Sequence, residues 1–177
     1  MAPAAAGTAE RAFAPGRSEN RLFIPAFRED GVAMTSREWF EQGWNCAQAV
    51  FLAHAGEFGL APELARRLAA PLGGGLGGLR RTCGAVTALG LLAGLRRGGY
   101  DPNDLAAKTQ FYALIQKLDA EFAAEFGTSQ CARLLADAGC EASAAPSARS
   151  AEYYAARPCA RCIEFADRLY ERHLARA

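Results

Sequence analysis

Five of the six residues from 73 to 78, GGGLGG, are glycine, and that run limits the fold more than any other stretch. Glycine loses the most conformational freedom on ordering, so neither helix nor strand runs well through such a segment. Regular structure must stop before it and restart after it, where the chain reads Leu79, Arg80, Arg81, Thr82, Cys83 and then the small-residue stretch GAVTALG. Gly73, Gly75 and Gly78 match the letters of the dinucleotide fingerprint G-x-G-x-x-G. That fingerprint needs a strand before it, a helix after it and an acidic residue about twenty places on. Here a helix precedes it, glycine and tyrosine stand at 98–100, and no Walker lysine follows. The glycines instead let the backbone approach something compact, a cluster or a partner thiol.

The rest of the chain carries helix punctuation. Thr35-Ser36-Arg37-Glu38 is a capping box, which predicts a helix from there to about His54. Its apolar face is Trp39, Gly43, Cys46, Ala47 and Val50, which points Cys46 into the core with Gly43 beneath it. Pro62 opens a short helix to about Ala70. A third runs from an N-cap at Thr82 to Arg97. Asp101-Pro102 opens the longest, through Phe126 to a stop at Gly127, and Thr128 caps another that ends at Gly139. Residues 140–151, CEASAAPSARSA, read as a low-complexity connector before a last helix at about Cys159 to Leu174. Nothing alternates with period two. The expected class is all-α: a compact helical bundle of about five to six helices, with the glycine-rich loop before a central helix.

At 177 residues the chain is long enough for one core. We expect a single domain over 34–177, preceded by a Pro/Ala/Arg-rich, poorly ordered arm at 1–33, with Met34 as the native start. A net charge of +1 gives no electrostatic case for nucleic acid or an anionic membrane. No uncharged run is long enough for a membrane span. Six cysteines are too few, in a chain of this size, for a small secreted disulfide scaffold. Residues 1–33 lack an export signal, so the reading is cytoplasmic with reduced thiols.

The cysteines carry the chemistry. Cys83 follows Thr82 at a helix start and stands beside Arg80 and Arg81. Free amides, the helix dipole and two guanidiniums would all favour a thiolate there. Cys131 stands three places after Thr128, and Cys159 and Cys162 form a C-x-x-C after Pro158. Ile163 follows where a haem-attachment site needs histidine, no βαβ unit surrounds the motif, and no second C-x-x-C makes a zinc ribbon. Cys140 lies in the connector without such a context. His54 and His173 read as ordinary histidines near helix ends, and no serine sits in a nucleophile elbow.

Together, GWNCAQAV (Cys46), GGGLGGLRRTCGAVTALG (Cys83), FGTSQCARLL (Cys131) and RPCARCIEFAD resemble a family of bacterial and archaeal redox-active proteins named for the pattern C, G-C-A-x-x-G, C, C. The resemblance runs from about Thr35 to the C-terminus. It departs at Ala88, where the family's final glycine is usual, and either Cys159 or Cys162 fits the fourth cysteine. It implies redox activity. Selenoprotein members favour thiol chemistry, and a related domain of split-Soret cytochromes favours an iron–sulfur centre.

Three readings follow. The first is electron transfer through an iron–sulfur cluster or other metal on Cys46, Cys83, Cys131 and Cys159 or Cys162, with Gly75, Gly78 and Gly84 allowing close backbone approach. The second is a metal-free thiol–disulfide protein in which the same cysteines are redox thiols and Cys83 attacks. The third is a helical interaction module with structural cysteines. The expected partner is a redox protein or oxidoreductase, and a homodimer is compatible with each reading.

Overall fold

The computed structural model of the protein describes residues 33–175. All but Ala33 of the arm expected at 1–33 lies outside them. The described residues form eight α-helices and no strand: α1 Ser36–Glu41, α2 Cys46–Ala55, α3 Pro62–Ala69, α4 Gly84–Arg97, α5 Leu105–Phe126, α6 Cys131–Asp137, α7 Ala151–Ala156 and α8 Cys159–His173. The class is all-α, as the periodicity predicts.

The first expected helix is two. Gly43 has φ +94°, in the left-handed region that a helix cannot pass through. Asn45 then starts a second capping box: its Oδ1 accepts from the Gln48 amide at 2.9 Å, while Gln48 Oε1 accepts from the Asn45 amide at 3.2 Å. Cys46 is consequently the first residue of α2 rather than a mid-helix core residue. Three other expected caps move inward for a related reason. Asp101 closes a local turn onto the Asn103 amide, and Asp104 caps α5. Thr128 accepts from the Gln130 amide in a side-chain turn, so α6 begins at Cys131. Thr82 forms an isolated antiparallel bridge with Gln130, which leaves Cys83 itself as the α4 N-cap.

Helix α2 is the hub, packed against α1, α3, α4 and α8. It is buried on more than one face, at Ala47, Gln48, Ala49, Val50, Phe51, Leu52 and Ala55, as expected of a helix enclosed by others. Helix α4 lies alongside it with Ala85, Ala88, Leu89, Leu92 and Ala93 fully buried. Helix α8 supplies Ile163, Ala166, Leu169 and Tyr170 at helical spacing. Trp39, Phe40, Phe51 and Phe122 complete the core at 1% exposure or less, each contributing on the order of 2–3 kcal/mol by burial. His173 does not face solvent as its terminal position suggests, because Glu121 of α5 holds its Nε2 at 3.0 Å.

The glycine loop is an ordered knot. Gly77 donates to Pro71 O (2.7 Å), Arg80 to Gly74 O (3.0 Å) and Arg81 to Gly75 O (3.0 Å). A Cβ on Gly75 would lie 2.6 Å from the Arg81 amide nitrogen, so only glycine lets the loop close this way. The strand-like return then meets the start of α6. Cys83 donates to Ser129 O (2.8 Å), and Cys131 and Ala132 donate to Arg81 O (2.6 Å) and Arg80 O (3.0 Å). Two orphan amides of α6 are thus satisfied by loop carbonyls, and Cys83 is tied beside Cys131.

Candidate functional site

These ties bring five cysteines to one place. Cys46, Cys83, Cys131, Cys159 and Cys162 all line a cavity of about 50 Å³. Cys46 opens α2, Cys83 caps α4, Cys131 opens α6, and Cys159 and Cys162 occupy the first turn of α8. All are free thiols. Cys140 stays outside, its sulfur 3.3 Å from Ala156 O, which agrees with its lack of context in the sequence.

Gly84 explains how Cys46 and Cys83 come so close. A Cβ at Gly84 would lie 2.5 Å from Cys46 Sγ and 3.0 Å from the Ala47 nitrogen. The missing side chain therefore lets the starts of α4 and α2 meet with the Cys46 sulfur between them. Cys46 and Cys83 are close enough to perturb each other's thiols, and Cys162 perturbs that of Cys83. The two candidate fourth cysteines differ in place. Cys162 is buried in this thiol chain, while Cys159 sits half-buried nearer the rim. Gly75 and Gly78, expected to approach a cofactor, approach the chain instead: Gly75 meets residues 80–81 and Gly78 meets the Ala144 carbonyl.

The expected Cys83 thiolate is not what the surroundings favour. The neighbouring Cys162 thiol and burial hold its thiol well above the ordinary range. Cys46 is held up by the neighbouring Cys83 thiol and by burial. Burial raises Cys131, partly offset by Arg80, and pushes Cys159 up to about 12. The arginine thought to activate Cys83 turns elsewhere: Arg80 Nη1 lies 3.9 Å from Cys131 Sγ, and its Nε donates to Ser143 O at 2.8 Å. Arg80 holds the left-handed φ of +57°, unusual for a side chain of this size.

Two parts of the wall are not evident from the sequence. Arg149 and Tyr153 come from the segment read as connector and from the short α7, and Arg157 follows α7. The available signal is Ser150, an N-cap whose Oγ accepts from the Tyr153 amide at 3.2 Å.

The chain matches the model of the family described as "Putative redox-active protein (C_GCAxxG_C_C)" over residues 44–173. It belongs to that family. No curated protein and no solved structure matches it. In this C_GCAxxG_C_C protein the motif cysteines are the thiols of the cavity, and the matched span covers all eight helices except α1. A lining whose metal-ligating side chains are thiols, without carboxylate or histidine, suits a soft metal or iron–sulfur centre in donor type. In arrangement it does not fit: among the described residues no three Cys, His, Asp or Glu side chains are grouped to hold a metal ion. No helix among the described residues is long and apolar enough to cross a membrane.

Proposed function

We propose that this protein is a thiol–disulfide redox protein whose working pair is Cys46 and Cys83. The observation that carries the reading is the approach of these two thiols in one cavity, where a Cβ on Gly84, the residue after Cys83, would lie 2.5 Å from Cys46 Sγ. Oxidation joins the two sulfurs in one disulfide and releases two protons and two electrons to an external acceptor; reduction reverses this. Cys46 is the more accessible of the two and attacks, while buried Cys83 resolves. Since the thiolate is the nucleophile and these thiols are held protonated, oxidation should accelerate as pH rises. The partner is a redox protein or an oxidoreductase that takes or supplies the electron pair.

A second reading, an iron–sulfur cluster or other soft metal on Cys46, Cys83, Cys131 and Cys159 or Cys162, is supported by the convergence of five thiols on one cavity. Anaerobic reconstitution with iron and sulfide separates the two. The dithiol reading expects a colourless protein that loses two thiols reversibly on mild oxidation. A brown protein with stoichiometric iron and acid-labile sulfide, and no reversible loss of paired thiols, would overturn it.

A further inference from the structure

Outside the cysteine cavity lies a larger hollow of about 400 Å³, within the size range of small-molecule sites. Six residues, Asn45, Gly74, Arg80, Arg149, Tyr153 and Arg157, line both. The two spaces therefore share a wall, and half of it is arginine. Among the described residues, no aspartate or glutamate lines either one. Among the described residues, the hydrogen bonds of these arginines run to uncharged groups: Arg80 to Ser143 O (2.8 Å) and Cys131 Sγ (3.9 Å), Arg149 to Trp44 O (3.4 Å) and Arg157 to Ser147 Oγ (3.2 Å). Arg149 and Arg157 also lie over the Tyr153 ring, at 4.5 and 4.6 Å from its centroid. These contacts orient the guanidiniums without neutralising them. Three cations around one concave space, with no anionic partner among the described residues, favour an anion there, and guanidinium forks match carboxylates in particular.

We propose that this hollow binds the carboxylate groups of a small anionic disulfide and presents its sulfur–sulfur bond to Cys46 through the shared wall. The inference rests on the dithiol reading, for which it supplies the oxidant. Gly74 marks the passage, since it lines both spaces. Cys46, on losing its proton, attacks one sulfur of the bound disulfide. A mixed disulfide forms, and the first small thiolate leaves and takes up a proton. Cys83 then attacks the Cys46 sulfur, closing the Cys46–Cys83 bond and expelling the second small thiol with the Cys83 proton. Two protein thiols are oxidised and one small disulfide is reduced to two thiols.

The test compares two probes on the reduced protein: the dianionic disulfide dithiobis(nitrobenzoate) and the neutral dithiodipyridine, with Cys46 modification followed by mass spectrometry. Arg157→Gln should slow the anionic reagent about tenfold, the equivalent of one lost charge-assisted hydrogen bond, and leave the neutral one within about twofold. Arg149→Gln should do the same, and the exposed Arg97→Gln should change neither. An anionic-to-neutral rate ratio unchanged in both variants overturns the proposal. Should a variant unfold, inorganic phosphate at constant ionic strength decides on the wild-type protein: it must slow the anionic reagent selectively, and equal or no slowing overturns the proposal. Failure of the dithiol reading looks different. There the neutral probe modifies Cys46 but no Cys46–Cys83 disulfide follows, whatever the ratio.

Discussion

Gly84→Ala is the sharpest perturbation the structure offers, because its helix contains its own control. At Gly84 the new methyl would stand 2.5 Å from Cys46 Sγ, 3.0 Å from the Ala47 nitrogen and 3.2 Å from Leu72 O. Two of these neighbours are backbone, so either the Cys46 side chain leaves its place or the starts of α2 and α4 separate. Overpacking of this kind costs about 1–3 kcal/mol. Gly90 lies in the same helix with nothing within 4 Å of the corresponding Cβ, so Gly90→Ala should gain about 0.5–1 kcal/mol from helix propensity and a less flexible unfolded chain. The two alanines should therefore shift stability in opposite directions and differ by about 1.5–4 kcal/mol. Urea denaturation of both variants under anaerobic, reducing conditions measures this, and thiol titration after mild oxidation measures the second consequence. Displacing the Cys46 sulfur should also lower the yield of the Cys46–Cys83 disulfide in Gly84→Ala while Gly90→Ala oxidises normally. Were Gly84→Ala as stable as Gly90→Ala and as readily oxidised, the close approach of Cys46 and Cys83 would not be as described.

Other perturbations probe separate links. The thiols of Cys46, Cys83, Cys131 and Cys159 are raised from their ordinary value of 9.0. The fold then retains protons that the unfolded chain loses, so stability is full below pH about 9 and falls above it, by about 1.4 kcal/mol per pH unit for each thiol still protonated. Thermal melts from pH 7 to 11 should show this decline, and Cys159→Ala should flatten it. Asn45→Ala removes the α2 capping box and the 3.1 Å bond to Ala70 O; a loss of about 1–2 kcal/mol in urea denaturation is expected. Cys140→Ser leaves the cavity untouched, and thiol titration should find the same two reversibly oxidised thiols as in the wild type.

How much of this the sequence revealed depended on how local each signal was. The α3 start at Pro62, the α5 stop at Gly127 and the span of α8 are written in neighbouring residues and were legible. The break between α1 and α2 was also local, in Gly43 and the Asn45–Gln48 box. It was obscured because the apolar spacing across it happens to continue with helical period. The gathering of Cys46, Cys83, Cys131 and the α8 pair could be expected only as a set of thiols at helix starts. Their convergence depends on the bridge of Thr82 with Gln130 and on the loop carbonyls that receive α6, contacts between segments far apart in the chain. The charge state of Cys83 was misjudged for the same reason. Arg80 is three residues away in sequence, yet its left-handed backbone sends the guanidinium to Ser143 and Cys131. Arg149 and Arg157 join the wall only because the connector folds back over the glycine loop, where Gly78 meets Ala144.

The central claim is that Cys46 and Cys83 form one reversible redox couple. Reduced protein equilibrated anaerobically across a series of thiol–disulfide buffers, acid-quenched, alkylated and mapped by peptide mass spectrometry, tests it directly. A single two-electron transition, with the Cys46–Cys83 cross-linked peptide rising as both alkylated peptides fall, is the predicted result. Six alkylated cysteines at every potential, or a dominant cross-link that leaves out Cys83, would contradict it.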